Sequence, residues 1–401
     1  MKAAGGGLRA EGVKNIDAYM RRIVDKGIVA GAGGTVIRHG EEAYCASFGM
    51  QDRVKNLPLK NDAIYRIWSM TKTFTIVAVM TLYEKGLFRL HQNIADFLPA
   101  YREPMVAEHD SRGNVRLVPA KRPVTFEHLF TMTSGIPSPG DGSYSARVLA
   151  EIHKKAAKDA EKGKPWNTAK MIDEGANMPL CFHPGDYWLY GYSHEVLGRI
   201  IEVISGKKFS DYLSQIIFEP LGIKDTAFFV PPEKQDRVAK PYRFTEKGLE
   251  EIVNMPVDHA SPNPPAFEAG GRGLCSTMAD CARYAQMLLH DGKAGSERIL
   301  SRKTIELIRA KHCVPLEMSS SGFGHLAGYG YGLGVRTMLD TAKAGLNGSA
   351  GEWAWDGAMG TYYCVDPRED MTALFFVQIL SPFNSEIYRG FVQAVYGAID
   401  D

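Results

Sequence analysis

The sequence predicts an α+β fold, in which helices flank an antiparallel sheet formed from both ends of the chain. Strand-like segments lie near the N-terminus and again near the C-terminus, whereas helical patterns and proline-rich loops fill residues 94–264. We therefore expect a discontinuous α/β domain of residues 1–93 and 265–401, with residues 94–264 inserted as a mostly helical domain. A cleft between the two is the natural place for a ligand.

The N-terminal part is predicted to contain two helices and a hairpin. Apolar residues recur at helical spacing over residues 13–25, and residues 31–49 predict a β-hairpin with its turn at residues 39–40. A nearly continuous apolar run then predicts a buried helix that begins at Ser69 and extends to about Glu84.

The rest of the chain is predicted to form short helices followed by strands. Helical patterns occupy four central segments, residues 125–132, 147–162, 193–204 and 210–218. Residues 360–365 and 372–377 are rich in β-branched and aromatic side chains, which predicts two strands joined by a turn. A closing helix is predicted over residues 384–399.

Composition and charge exclude several classes of partner. The chain has 401 residues, a formal net charge of +1 and no long block of like charges. These properties argue against nucleic acid or an anionic membrane as the main partner. No apolar run approaches the length that spans a bilayer, and the N-terminus lacks a hydrophobic signal core, so we expect a cytoplasmic protein.

No metal and no cofactor are expected. The six cysteines are scattered without a C-x-x-C motif, which favours buried free thiols over a disulfide framework or a zinc site. His194-Glu195 lacks the second histidine of a zinc-binding His-Glu-x-x-His, and no Gly-x-Gly-x-x-Gly indicates a nucleotide. The α/β-hydrolase signature Gly-x-Ser-x-Gly is also absent from the sequence.

The S-x-x-K motif at Ser69 and Lys72 is the segment that indicates chemistry. In a helix that begins at Ser69, the two side chains share one face at the positive end of the helix dipole. Burial in so apolar a run disfavours the charged form of the amine, so the pair has the parts of an activated serine nucleophile. The alternative is that Ser69 caps a core helix while Lys72 extends to solvent. A second S-x-x-K, at Ser205 and Lys208, instead indicates a helix C-terminus.

An aromatic run after a Pro-Gly turn offers a candidate base. Tyr190 and Tyr192 lie in this run, which leads into a predicted helix. A tyrosine beside a lysine ammonium loses its proton more easily and can act as a general base for a serine. The alternative is that these tyrosines pack at the wall of a cleft.

Residues 353–361 offer a candidate oxyanion hole. Glycines at the head of a strand allow a ligand to approach the backbone, so the N–H of Ala358 could join that of Ser69 in holding a developing oxyanion. The alternative is a glycine-rich bulge with packed tryptophans.

Together these three segments resemble the serine β-lactamase and penicillin-binding-protein superfamily. Within it, the chain is most similar to the class C-like family VIII carboxylesterases and to the lovastatin-type acyltransferases. Residues 125–137, 220–226 and 270–277 are also similar to landmarks of the superfamily. The resemblance implies a β-lactamase/transpeptidase-like fold and a serine site that uses neither metal nor cofactor.

The resemblance also implies a role for each matching residue. Ser69 would be the nucleophile, Lys72 its proton partner, and Tyr190, six residues after Pro184, the tyrosine of the base. The N–H groups of Ser69 and Ala358 would form the oxyanion hole.

Two positions depart from the β-lactamase pattern. Tyr192 stands where the third residue of the Tyr-x-Asn element is Asn, and Trp355 stands where Lys-Thr-Gly begins, with Gly357 as its glycine. β-Lactamases use that lysine to help hold the substrate carboxylate, so its loss weakens recognition of anionic penicillins. The resemblance therefore implies that Trp355, Gly357 and Tyr192 line a substrate site suited to neutral acyl groups.

These observations predict a serine carboxylesterase whose partner is a small-molecule ester with a short to medium acyl group. Three alternatives stay open. The same residues could act on an amide or β-lactam, as in a β-lactamase or a D-amino-acid peptidase. The acyl group could pass to an acceptor other than water, as in an acyltransferase. A penicillin-recognising module without catalysis is the third alternative.

Overall fold

The computed structural model describes residues 5–253, 255, 260–318, 323–381 and 383–400. In chain order, its strands are β1 (Gly31–Arg38), β2 (Glu41–Asp52), β3 (Leu57–Pro58), β4 (Ile64–Arg66), β5 (Met105–His109), β6 (Val115–Pro119), β7 (Tyr242–Thr245), β8 (Gly248–Glu251), β9 (Cys275–Thr277), β10 (Lys293–Ala294), β11 (Glu297–Arg298), β12 (Tyr329–Tyr331), β13 (Arg336–Met338), β14 (Trp353–Asp356), β15 (Tyr362–Asp366), β16 (Met371–Phe376) and β17 (Ile379–Leu380).

The α-helices in the same part of the chain are α1 (Ala10–Asp25), α2 (Thr71–Glu84), α3 (Phe126–Phe130), α4 (Tyr144–Glu161), α5 (Thr168–Gly175), α6 (Ser193–Ser205), α7 (Phe209–Leu213), α8 (Met278–Leu289), α9 (Arg302–Arg309), α10 (Pro315–Met318), α11 (Thr341–Ala344) and α12 (Asn384–Tyr396). Short 3₁₀ turns occur at Trp68–Met70, Ile94–Asp96, Pro99–Tyr101, Pro232–Arg237 and Gly324–Leu326, and a π-helical turn, Ser214–Phe218, continues α7.

An eight-stranded antiparallel sheet forms the centre of the fold, with the order β12-β13-β14-β15-β16-β1-β2-β3. β1 and β16 are neighbours, so that Thr35 from the N-terminal part pairs with Leu374 from the C-terminal part. The two ends of the chain therefore meet inside one sheet, and the predicted fold class is confirmed.

Helices cover both faces of this sheet. α1 and α12 pack together on one face, while α8 lies against β1, β15 and β16 on the other. A Cβ on Gly34 would crowd Phe391 of α12, and one on Gly33 would crowd Met278 of α8, so two adjacent glycines let both layers approach β1 closely. The larger hydrophobic core, on the side of α8, continues into α2, α3 and α6.

The central region contains more strand than the sequence analysis predicted. Besides helices, residues 94–264 form two hairpins, β5–β6 and β7–β8. β6 is largely exposed, so its side chains do not show the apolar alternation that marks a half-buried strand. The proposed domain limits at residues 93/94 and 264/265 stay a prediction. No helix within the described residues is both long and apolar enough to span a membrane.

Candidate active site

Ser69 lies in the short 3₁₀ turn that precedes α2, two residues before the helix begins. This corrects the prediction that α2 starts at Ser69. Trp68 has a φ of 44°, in the left-handed region that is unfavourable for a bulky residue, so packing around the turn must hold this conformation. No side chain caps α2, so the alternative that Ser69 is its cap is wrong.

Lys72 contacts the Ser69 hydroxyl from the first turn of α2. Its Nζ lies 3.1 Å from Ser69 Oγ and donates a second hydrogen bond of 2.7 Å to Gly271 O. The lysine is only 4% exposed, so it does not extend to solvent, and the second alternative for this motif is also wrong. A buried amine held against a serine hydroxyl has the geometry of a nucleophile and its proton acceptor.

Residues 270–274, whose Gly271 carbonyl accepts the hydrogen bond from Lys72, are bound along one face of α2. Thr75 donates to Gly270 O at 2.6 Å, and the N–H of Leu274 donates to Thr71 Oγ1 at 3.1 Å. These hydrogen bonds flank the one between Lys72 and Gly271, so α2 and residues 270–274 together fix the position of the amine.

The ring of Tyr190 lies against the amine of Lys72. Lys72 Nζ is 4.6 Å from the centroid of the Tyr190 ring, and Trp355 donates its indole N–H to Tyr190 Oη at 3.0 Å. The Tyr190 and Trp355 rings stack with centroids 5.4 Å apart. The structure thus brings together three of the predicted site residues, Lys72, Tyr190 and Trp355, from distant parts of the chain.

Tyr192 has different neighbours although it is two residues away. It is 6% exposed, and its Oη accepts a hydrogen bond of 2.8 Å from Arg272 Nη2. Burial raises the pKa of the Tyr192 phenol, while the charge of Arg272 partly opposes that rise. A phenol whose charged form is disfavoured stays protonated and cannot accept the Ser69 proton, which leaves Tyr190 as the better candidate.

The turn between β14 and β15 carries Gly357 and Ala358 to the Ser69 turn. Thr361 Oγ1 donates to Ile67 O at 3.2 Å, and the Gly357 N–H donates to Thr361 O at 2.7 Å. A Cβ on Gly357 would collide with Ile67 O, so this close approach requires glycine. Among the described residues, no hydrogen-bond acceptor is found for the N–H of Ser69 or Ala358, as an oxyanion hole requires.

The sequence analysis missed two buried polar residues at the start of α6, His194 and Glu195. Glu195 is 2% exposed and accepts a hydrogen bond from the Gly271 N–H; burial raises its pKa, while Lys72 and Arg272 lower it. Burial also keeps the pKa of His194 well below its usual value, with Lys72 adding to the effect. Their position inside an otherwise apolar helical pattern was the available signal.

Over the described ranges, no group of three or more His, Cys, Asp or Glu residues could hold a metal ion. The arrangement at Ser69 instead supplies a nucleophile, a buried amine, a phenol and free backbone donors, which are the parts needed for acyl transfer.

The family model described as Beta-lactamase matches residues 16–397, and the chain therefore belongs to the Beta-lactamase family. Protein Rv1367c of Mycobacterium tuberculosis is 30% identical over 368 residues, which is 90% of this chain and 88% of that protein. Esterase EstB of Burkholderia gladioli is 26% identical, over 90% of this chain and 88% of EstB.

A solved structure shows the same fold. EstCE1, described as a hydrolase with promiscuous acyltransferase activity, superposes with a TM-score of 0.78, covering 96% of this chain and 99% of EstCE1 at 20% identity. Family membership and an esterase among the relatives support a serine hydrolase or an acyl-transferring enzyme as the class of this protein.

Proposed function

We propose that this protein is a serine carboxylesterase that hydrolyses short to medium acyl esters through an acyl-enzyme on Ser69. The proposal rests on the 3.1 Å contact between Lys72 Nζ and Ser69 Oγ. The ring of Tyr190 lies 4.6 Å from the same amine. The relative EstB is named an esterase, which supports the same conclusion.

In the first half-reaction, Ser69 Oγ attacks the ester carbonyl carbon while its proton passes to Lys72 and Tyr190. The negative charge on the carbonyl oxygen is held by the N–H groups of Ser69 and Ala358. The bond to the alkoxy oxygen then breaks, and the alcohol leaves with the proton. In the second half-reaction, water gives a proton to the same base and attacks the acyl carbon. The bond between this carbon and Ser69 Oγ breaks, the acid leaves, and the base returns the proton to Ser69 Oγ.

Trp355 favours an ester over a penicillin in this proposal. Its side chain is 3% exposed and its indole N–H already donates to Tyr190, so it offers no positive charge to a substrate carboxylate at this position. The half-buried ring of Tyr190, which stacks on Trp355, offers an aromatic surface that suits an apolar acyl or alcohol group.

The decisive experiment replaces Ser69. Ser69→Ala should abolish turnover of p-nitrophenyl butyrate and the covalent adduct formed with a fluorophosphonate, detected by intact-protein mass spectrometry. The matched control is Ser205→Ala, which removes the serine of the second S-x-x-K, at the end of α6, and should leave both unchanged. Full activity in Ser69→Ala would end the proposal.

The base is tested by two neighbouring tyrosines. In the structure, the hydrogen bond of Tyr190 Oη is to Trp355 and not to Ser69 or Lys72; such contacts commonly tighten only when substrate binds. Tyr190→Phe should therefore lose far more activity than Tyr192→Phe. The reverse ranking would move the role of base to Tyr192.

The alternative functions use the same site and differ in substrate or acceptor. Nitrocefin and D-Ala-D-Ala kinetics, compared with ester kinetics, test a β-lactamase or D-amino-acid peptidase. Acyl transfer is the better supported alternative, because EstCE1 is described as having acyltransferase activity. Product analysis with added alcohols or amines measures what fraction of the acyl group is transferred to these acceptors and not to water.

A further inference from the structure

A cavity of about 720 Å³ lies between α4 and the segment that follows residue 260. Apolar side chains form most of its wall, among them Trp166, Met171, Phe228 and Phe267. A cavity of this size and character accommodates a small organic molecule.

Arg272 brings a positive charge to this cavity. Its Nη2 donates to Tyr192 Oη, and its Nε is buried without a hydrogen-bond partner. No ion pair joins Arg272 to a carboxylate in the part of the chain that the structure describes. The guanidinium is half-buried in an apolar wall, and an anion in the cavity, such as a carboxylate, would stabilise its charge.

The other ionisable groups in the wall do not compete for this role. Burial, with the Arg272 charge, lowers the pKa of His153 to about 4, so this histidine is neutral at pH 7. Lys154 pairs with Glu151 at the protein surface. Among the described wall residues, Arg272 is therefore the cation without an ion pair, and its charge acts on the buried Glu195 behind the wall.

Two chain segments link the wall of the cavity to the candidate active site. Arg272 directly follows Gly271, whose carbonyl accepts the hydrogen bond from Lys72. Pro139, another wall residue, follows Ser138, which donates to Tyr190 O at 3.2 Å. The wall of the cavity is thus continuous along the chain with residues that contact Lys72 and Tyr190.

We propose that this cavity binds a carboxylate carried by the substrate, with Arg272 as its partner, so that the preferred substrates are apolar esters bearing a negative charge. The proposal rests on the esterase function and narrows its substrate class. Trp355, which stands where β-lactamases have the lysine that helps to hold the penicillin carboxylate, lies beside Tyr190. Arg272 lies beside Tyr192. The carboxylate of the proposed substrate would therefore bind at a different place from the carboxylate of a penicillin.

The experiment compares charged and neutral esters of equal length. In the acyl arm, kcat/KM is measured for the p-nitrophenyl monoester of glutaric acid and for p-nitrophenyl valerate, in which a methyl group replaces the carboxylate. In the alcohol arm, the butyrate ester of 4-hydroxybenzoate is compared with 4-methylphenyl butyrate. The arm that shows the effect identifies which half of the ester carries the carboxylate.

Arg272→Met should lower the charged-to-neutral ratio of kcat/KM by about 10-fold or more in one arm, as expected for loss of a charged hydrogen bond. Arg272→Lys keeps the positive charge but not the planar guanidinium, so its charged-to-neutral ratio should lie between those of the original protein and Arg272→Met. If circular dichroism shows that Arg272→Met is unfolded, Arg272→Lys takes its place in the comparison. The control, Lys154→Met, removes a charge from the same wall and should change the ratio less than threefold.

Two outcomes would overturn the inference. One is a ratio unchanged by both Arg272 variants in both arms; the other is an equal fall in Lys154→Met, which would indicate only a general electrostatic effect. Failure of the esterase function is seen separately, as ester hydrolysis that persists in Ser69→Ala.

Discussion

The hydrogen bond from Trp355 to Tyr190 should contribute directly to the reaction rate. The indole N–H lies 3.0 Å from Tyr190 Oη, and the rings stack with centroids 5.4 Å apart. Replacing Trp355 with Phe keeps an aromatic ring in the stack and removes the donor. Tyr190 can accept the Ser69 proton only as a phenolate, and in the variant this charged form would lack its hydrogen-bond donor.

The magnitude follows from the energy of a hydrogen bond to a charged acceptor, about 1.5–3 kcal/mol. Since about 1.4 kcal/mol corresponds to a factor of ten in rate, kcat/KM for p-nitrophenyl butyrate should fall about 10- to 150-fold. The smaller ring also loosens packing around a side chain that is only 3% exposed, so some loss of stability will accompany the loss of rate.

Trp353→Phe is the matched control for packing. Trp353 lies on the same strand, β14, is 1% exposed, and its indole N–H has no hydrogen-bond partner among the described residues. The two variants therefore remove the same atoms from two buried tryptophans, with a hydrogen bond lost in one of them. We expect Trp353→Phe to keep kcat/KM within about threefold while its melting temperature falls as much as that of Trp355→Phe.

The reasoning is refuted if Trp355→Phe, shown to be folded by near-ultraviolet circular dichroism, retains kcat/KM within about threefold of Trp353→Phe. The Trp355 contact would then be a packing contact only, and Tyr190 would have to be tested without reference to its partner.

Three further predictions concern the frame around the site. Gly357→Ala should reduce kcat/KM at least about 10-fold, because its Cβ would displace Ile67 O and the adjoining serine turn; full ester turnover would contradict this. His153 has a pKa of about 4 in the fold and 6.5 in unfolded chains, so the folded state should lose stability as the pH falls from 6.5 toward 4. His153→Asn should therefore reduce the difference in unfolding free energy between pH 7 and pH 5, measured with urea, by about 1–2 kcal/mol. Parallel pH profiles of the variant and the original protein would count against this prediction. Arg336→Met should lower the unfolding free energy by about 3–5 kcal/mol, since it leaves Asp356 without its partner; urea titration showing a loss under about 1 kcal/mol would disprove it.

Local sequence patterns were sufficient to predict the elements that frame the sheet. The first hairpin was predicted from its turn residues, and His39 and Gly40 do adopt φ values of 53° and 73° there. Strands β15 and β16 were predicted from their β-branched and aromatic content. β12 and β13 were missed because each has three residues, too few for a period of two to be recognised.

Local sequence patterns likewise predicted the contacts of the site between residues close in sequence, but not those between distant residues. The S-x-x-K spacing was enough to predict that Ser69 and Lys72 meet, since they are one helical turn apart. The contact of Lys72 with Gly271 joins residues 199 positions apart, and that of Trp355 with Tyr190 joins residues 165 positions apart. No local pattern contains such contacts. They form only when β14 packs against the turn that holds Ser69 and the segment 270–274 packs along α2.

The two tyrosines of one loop show how the fold can give the same side chain two chemical characters. Tyr190 is half-buried, accepts from a neutral indole and has the Lys72 amine against its ring, so a proton taken from Ser69 has a short path through the lysine. Tyr192 is buried, and its raised pKa keeps it a phenol that accepts a hydrogen bond from Arg272.

Because that hydrogen bond uses one donor of the Arg272 guanidinium and fixes its orientation, Tyr192 would act as a positioning residue for the proposed carboxylate. Tyr192→Phe should therefore change the charged-to-neutral substrate ratio more than the rate on neutral esters, and Tyr190→Phe should do the reverse. Equal effects of both variants on both quantities would mean that the loop serves one site and not two.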